Sequence, residues 1–286
     1  MNTPKENLLQ CFPNSKLATL LRKKRELKYE NNLEPKKLEI IAQRYEEAKP
    51  RTDYQKIAFI SDLHIPFQHD RDLERACVIL ENEKPDCIII GGDLIDAWEI
   101  SKFDTVPNFS KLLKEEVTLA WSFLSDFRKK HPTADIFYTE GNHDYRVKSY
   151  AIRNAPALHD TDWLPNQLQL NKLNIKWIPS KEGSARWTDT FVLIDGIRMG
   201  HFDRVNQGAG QTVRQLMMKK GGSFVQGHVH RAAVIYFRNI DGDISFGVEN
   251  PCLCKDPFYG SINDWQRGLT IIEKQDRIFR PRVIVF

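Results

Sequence analysis

Five segments of this 286-residue chain carry residue types that bind hard and borderline metal ions, and each directly follows an apolar run. Asp62-Leu63-His64 follows IAFIS, and Gly92-Asp93-Leu94-Ile95-Asp96 follows CIIIG. Gly141-Asn142-His143-Asp144 follows IFYTE, His201 follows IRMG, and Gly227-His228-Val229-His230 follows SFVQ. Five of the eight histidines lie in these segments. A single Asp-x-His reads as a polar turn, but an ordered set of five does not. Carboxylate and amide oxygens mixed with imidazole nitrogens suit divalent transition metals (Mn, with Fe, Zn, Co or Ni as alternatives) better than Ca or a thiophilic ion. Asp93, in the middle of the set, is the natural bridging carboxylate between two such ions. Two cations ~3.5–4 Å apart polarise a phosphoryl oxygen, acidify a bound water and stabilise an in-line displacement. The chemistry indicated is hydrolysis at phosphorus.

Residues of this kind need strands that end together. From Lys56 onward the pattern alternates: strands at 56–61, 86–90 and 135–139, with amphipathic helices at 70–82 and 111–130 between them. That β-α-β-α-β order predicts an α/β fold around a partly parallel sheet, and open α/β sheets place their sites beyond the carboxyl ends of strands. After Lys172 short strands dominate, at 175–178, 190–194, 197–200, 223–226, 233–238, 244–248, 269–273 and 278–285, with one helix near 211–220. Asp195-Gly196 and Asp241-Gly242 read as hairpin turns.

The ordered motifs D-x-H, G-D-x-x-D, G-N-H-D, H and G-H-x-H resemble those of the calcineurin-like metallophosphoesterase superfamily, over about residues 56–286. The resemblance implies a four-layer α-β-β-α sandwich, here preceded by a helical N-terminal extension. It implies that Asp62, His64, Asp93 and His230 hold one metal, and that Asp93, Asn142, His201 and His228 hold the other. It makes His143 a catalytic histidine that is not a ligand, and Asp96 and Asp144 partners that orient histidines. Protein Ser/Thr phosphatases of the superfamily carry Arg-Gly after G-D-x-x-D and use G-N-H-E. Ala97-Trp98 and Asp144 stand here instead, which disfavours that activity. His201 precedes Phe202 where many relatives have glycine. The stretch Glu249-Asn250-Pro251-Cys252-Leu253-Cys254, with Trp265-Gln266-Arg267-Gly268, is similar to phage and bacterial members described as nucleases. The expected activity is therefore phosphodiester hydrolysis on nucleic acid or nucleotides, with a phosphomonoesterase as the alternative and a non-catalytic binding module as the least favoured reading.

Arg146 and Arg231 each follow a motif and are the candidates to hold the substrate phosphate. Trp163, Trp177 and Trp187 suit either base stacking or the core. Cys252 and Cys254 read as small buried residues rather than extra ligands. The net charge of +4 resides wholly in residues 1–50, which hold eleven Lys/Arg and seven Asp/Glu. This segment reads as a basic helical extension, with Pro35 opening a helix over 36–48 and Arg22-Lys23-Lys24-Arg25 as either a solvated face or a phosphate contact. Residues 51–286 form the expected catalytic domain. Hydrophobic residues at 41% suffice for a core. No apolar run reaches the ~18 residues of a membrane span, the N-terminus lacks the pattern of a signal peptide, and the five cysteines are irregularly spaced. Together these lead to the expectation of a cytoplasmic protein without a membrane partner.

Overall fold

The structure, a computed structural model, describes residues 53–101, 112–158, 162–180, 187–238, 240, 242–256, 263–276 and 278–286. The expected helices and basic cluster of residues 1–50 lie outside these, as do Lys111 of the expected 111–130 helix and Asp241 of the second expected turn.

Eleven strands among the described residues form two sheets. In chain order β1 (Lys56–Ile60), β2 (Cys87–Ile90), β3 (Asp135–Thr139) and β4 (Ile175–Ile178) pair in parallel. The C-terminal hairpin of β10 (Gly268–Gln275) and β11 (Ile278–Val285) joins that sheet antiparallel to β1, giving the order β11-β10-β1-β2-β3-β4. The second sheet runs β5-β6-β7-β9-β8, from β5 (Thr190–Ile194), β6 (Ile197–His201), β7 (Ser223–Gln226), β8 (Ala233–Arg238) and β9 (Ile244–Glu249). In it β6, β7 and β9 are parallel. The Asp195-Gly196 turn closes the β5–β6 hairpin with Ile194 opposite Ile197, both turn residues having positive φ as a two-residue hairpin loop requires.

Side-chain alternation builds the layers. Ile57 and Phe59 of β1 face the second sheet and meet Val192, Ile194, Met199, Val225 and Val248 in an inter-sheet core. Ala58 and Ile60 face the other way, onto α1 (Asp70–Glu83) and α2 (Leu113–Lys130), through Ala76, Leu80, Ala120, Leu124 and Phe127. The short helix α5 (Gln211–Lys220) covers the far side of the second sheet, with Val213, Leu216 and Met217 against Phe224. The result is the four-layer α-β-β-α sandwich. Full burial of rings such as Phe59 and Phe137 contributes roughly 1.5–3 kcal/mol each to holding the sheets face to face.

Two helices escape the sequence pattern, α3 (Tyr145–Asn154) and α4 (Trp163–Gln167). The first buries only Tyr145 and Lys148, so it carries no apolar stripe to read. The second is five residues long with Pro165 in its first turn, where proline is tolerated. Trp163 and Trp177, left open between base stacking and packing, pack against the outer core.

Candidate metal centre

The loops that leave β1 and β2 run side by side and extend the parallel pairing beyond the strands. The amides of Asp62, His64 and Ile65 donate to the carbonyls of Gly92, Asp93 and Leu94 at 2.8–3.0 Å. Along these loops, and along the loop that leaves β7, the backbone turns left-handed at residues expected to bind metal. Asp62, His64, Asp93, His228 and His230 all have φ between 50° and 75°. A left-handed non-glycine residue costs about 1–2 kcal/mol, with Asp and His among the more tolerant types. Five in one place mark a site where surrounding structure overrides local preference. Close packing adds to this: a Cβ on Gly141 would clash with the carboxylate and amide of Asp93, so glycine is required there.

The seven expected ligands converge. Asp62, His64 and Asp93 each offer an atom within 4.8 Å of the others, and so do Asp93, His201 and His228, which makes Asp93 common to two groups. His64 donates from Nδ1 to Asp96 Oδ1 at 2.8 Å. Its buried Nε2 has no hydrogen-bond partner among the described residues and lies 3.7 Å from Asp93 Oδ2. His201 donates from Nδ1 to the Gly91 carbonyl at 2.8 Å. Its Nε2 meets Asp93 Oδ2 at 3.3 Å, Asn142 Oδ1 at 3.0 Å and His228 Nδ1 at 3.1 Å. His230 Nε2 lies 3.2 Å from Asp62 Oδ1, and the His228 amide donates to both Asp62 oxygens at 3.0 Å.

This donor set fits two cations. One ring proton on His201 Nε2 cannot serve three neighbouring acceptors at once, whereas a single cation can. His64 Nε2 is a buried lone pair that a cation would satisfy. The electrostatics agree. Burial pushes the Asp62 carboxyl up, yet the charge and hydrogen bond of His230 outweigh this and leave it at about 2. Burial likewise opposes ionisation of Asp93, but the charges of His201 and His143 and a hydrogen bond from His201 hold it well below the ordinary carboxylate range. Against its own burial, His201 is pulled up to about 9 by Asp93. Burial and the charge of His201 push His228 down to about 3. Buried carboxylates and imidazoles thus share protons where divalent cations would balance the charge.

Around these residues the structure assigns partners that refine the expectations. Asp96 lies against two histidines: Oδ1 accepts from His64 and lies 3.0 Å from His143 Nδ1. Asp144 does not orient histidines. Its carboxylate accepts the amides of Asp93 at 2.9 Å, Ile95 at 3.3 Å and Gly141 at 2.8 Å, so it fixes the backbone of two loops rather than a histidine ring. Burial and the nearby Asp93 push Asp144 up to about 7. Arg146 stands at the site, donating to the Asp96 carbonyl at 2.9 Å and lying 3.1 Å from His143 Nε2. Arg231 does not suit the phosphate role read for it: it is buried, donating to Asp264 at 3.1 Å and to the Asn206 carbonyl at 2.6 Å.

Sequence reasoning passed over three buried glutamates that hold these loops. Glu116 accepts the amides of Ala97 (2.6 Å) and Trp98 (3.1 Å), just after Asp96. Glu140 accepts the Ser180 amide, and its carbonyl takes Trp187 Nε1 and Thr190 Oγ1. Glu249, at the end of β9, accepts the amides of Gly210, Thr212 and Val213 at the start of α5. The signal for Glu116 was available: it shares the buried face of its helix with Val117, Ala120, Leu124 and Phe127. Its carboxyl is pushed up by burial to about 8 from an ordinary 4.5, despite the amide hydrogen bonds. Between those values the folded chain keeps a proton that the unfolded chain releases, so this contribution to stability falls as pH rises from about 4.5 through 8. Glu116→Gln is therefore expected to show a shallower loss of urea midpoint between pH 5 and 8.5 than the wild type. Parallel slopes for the two proteins would contradict the burial of a titrating carboxyl at this position.

A family model described as calcineurin-like phosphoesterase matches residues 55–239. The gene 54 protein of Mycobacterium phage L5 is 26% identical over 244 residues, covering 80% of this chain and 93% of that protein. The gene 54 protein of Mycobacterium phage D29 is 27% identical over 187 residues, covering 63% and 71%. Among solved structures, a dimetal phosphatase from Danio rerio aligns with 81% of this chain and 99% of its own, at 10% identity and a TM-score of 0.39. No helix among the described residues is long and apolar enough to cross a membrane.

Proposed function

This chain belongs to the calcineurin-like phosphoesterase family, and we propose that it is a two-cation phosphodiesterase acting on nucleic acid or nucleotides. The observation that carries this reading is the pair of donor groups that share Asp93. Asp62, His64, Asp93 and His230 would hold one divalent transition metal, and Asp93, Asn142, His201 and His228 the other, with manganese the first choice from the oxygen and nitrogen donors. Bound there, the ions would supply Lewis-acid polarisation of the phosphoryl oxygen and acidification of water.

The chain's own residues supply the rest. Asp96 fixes His64 and His143 in register with one another, and the two rings stand edge to face at 4.3 Å. His143 is the group that gives a proton to the leaving oxygen. Its Nε2 faces Arg146 Nη2 and its Nδ1 faces Asp96, so in this arrangement the ring proton sits on Nδ1; a phosphate that draws the guanidinium toward itself frees Nε2 to take up a proton from solvent and pass it to the leaving oxygen. Arg146 thus serves both as a phosphate contact and as the guard of the acid. Preference for a diester is supported by charge: a diester carries one negative charge, and Arg231 is committed elsewhere. Preference for a base-bearing substrate is supported by two half-buried tryptophans. Trp187 lies against His201 and His228 at ring distances of 5.4 and 6.3 Å, and Trp265 against His230 at 4.1 Å. Such rings stack on bases for about 1–3 kcal/mol each.

The reading is tested with Mn²⁺ and a substrate panel: p-nitrophenyl phosphate, bis-p-nitrophenyl phosphate, 2′,3′-cyclic nucleotides, and single-stranded and duplex DNA. Higher kcat/KM on diesters is expected. A preference for p-nitrophenyl phosphate would instead establish the monoesterase alternative. If the polymer is the substrate, the basic segment 1–50 contributes to holding it. Deleting that segment is expected to leave hydrolysis of bis-p-nitrophenyl phosphate intact. It should lower the slope of log affinity against log salt for duplex DNA by about 0.9 per lost phosphate contact, up to about four contacts for the cluster at 22–25. Equal affinity and equal slope for the two chains would remove nucleic acid binding from this segment.

A further inference from the structure

Metal-binding histidines are aimed from behind. A ring that binds through one nitrogen carries its proton on the other, and the group that accepts this proton fixes both tautomer and orientation. For His64 that acceptor is Asp96, and for His201 it is the Gly91 carbonyl. The corresponding atom of His230 is Nδ1, since Nε2 faces Asp62. The atom that meets His230 Nδ1 is neither a carboxylate nor a carbonyl oxygen but the sulfur of Cys254, at 3.8 Å, which also lies within 4.8 Å of a ring nitrogen of His64.

Cys254 is held in that position from several sides. It is buried, and the neighbouring Leu253 amide donates to the Asp62 carbonyl at 3.1 Å. The Leu253 carbonyl accepts the His69 amide at 2.7 Å, and the Lys255 amide donates to the Phe67 carbonyl at 2.8 Å. Cys254 itself bridges to Gln68, and Cys252 to Arg267. The segment that carries the thiol is therefore stitched to the loop that carries Asp62 and His64. Trp265 closes off His230 at 4.1 Å, so few other acceptors compete for its Nδ1 proton.

We propose that Cys254 is the positioning residue of the first cation site, accepting the Nδ1 proton of His230 and thereby holding Nε2 toward Asp62 and the metal. This rests on the two-cation reading above. Sulfur accepts hydrogen bonds more weakly than a carboxylate does, so His230 is the more loosely aimed partner of the pair that flanks this cation, and His64 the tighter. Cys254 is the small buried residue expected from the sequence, and the proposal adds a role set by its neighbour.

The test is competitive titration of the full-length protein with Mn²⁺ and with Co²⁺, comparing wild type with Cys254→Ala, Cys254→Ser and Cys77→Ala. Loss of an outer partner of this kind typically weakens metal binding about 10–100-fold. Cys254→Ala is expected to weaken one of two cation sites by that factor and leave the other unchanged. Cys254→Ser, which keeps an acceptor, should recover part of the loss, and Cys77→Ala, which removes a thiol of α1 away from the site, should bind as wild type. The Co²⁺ spectrum of the wild type should lack a sulfur-to-metal charge-transfer band in the near ultraviolet. Unchanged affinity in Cys254→Ala would overturn the proposal while leaving two-cation binding in place. A charge-transfer band that Cys254→Ala abolishes would overturn it too, by making the sulfur a direct ligand. A wild type that binds no cation would overturn this inference and the two-cation reading together. Circular dichroism of each variant separates lost binding from lost fold.

Discussion

Asp93→Asn is expected to take cation content from about two equivalents per chain to below one, and turnover of bis-p-nitrophenyl phosphate to the level of the buffer. Both carboxylate oxygens of Asp93 are committed. Oδ1 accepts the His143 amide at 2.7 Å, while Oδ2 lies between His64 Nε2 and His201 Nε2 at 3.7 and 3.3 Å. An asparagine has one acceptor oxygen. If it keeps the His143 amide, its NH₂ group points at the cation positions. If it turns over, two N–H donors face each other at His143. Either arrangement removes the single negative charge common to both donor groups. Elemental analysis of protein dialysed against Mn²⁺, paired with a rate measurement, checks this directly. Two equivalents retained at near wild-type rate would show that Asp93 does not bridge.

His143→Ala is expected to lose about 10²–10⁴-fold in turnover, the usual contribution of a positioned general acid, and to retain both cations. His143 is not itself one of the expected ligands: its amide holds Asp93, and its ring leans on Asp96 and stands edge to face with His64. Alanine keeps the amide, so the ligands stay where they are. The loss should be larger on a nucleotide diester than on bis-p-nitrophenyl phosphate, because an alkoxide needs a proton on leaving and a nitrophenolate does not. An equal loss on both substrates would turn the residue from an acid into a purely electrostatic group. Loss of metal would instead place its ring among the structural supports.

The strands and the order of ligands were legible because they follow from local rules. Apolar runs of four to six residues formed strands whose bounds agree with the expected ones to within a residue or two, as at Asp135–Thr139 and Ile175–Ile178. The convergence of Asp62 with His228 and His230 joins loops of two different sheets, and in the sequence it was carried by the ordered family motifs rather than by the strand pattern. Less legible were groups whose role depends on a distant partner. The family resemblance made Asp144 a partner that orients histidines; its oxygens instead reach amides some fifty residues away, at Asp93 and Ile95. Arg231 follows His230 directly, but a neighbour in a left-handed turn need not face the same way, and its guanidinium leaves for Asp264. Glu249 lies in a strand and caps a helix in another layer, a relation that no periodicity carries.

The pairing of β1 with β10 sets a timetable for biosynthesis. Lys56 lies opposite Glu273 and Phe59 opposite Thr270, so the strand that delivers Asp62 and His64 is bordered on one side by residues made long after it. While the chain is still emerging from the ribosome, β2 can already stand beside β1 and β3 beside β2, but the other edge of β1 has bare amides and carbonyls. An open edge of that kind invites pairing with another chain. Contacts at such long separation also form late, because the loop must be closed before they repay its entropy. A messenger cut short before Gly268 would therefore yield a product with every metal-motif residue present and its central sheet unfinished. Such a fragment belongs with insoluble or degraded material rather than with a smaller working enzyme.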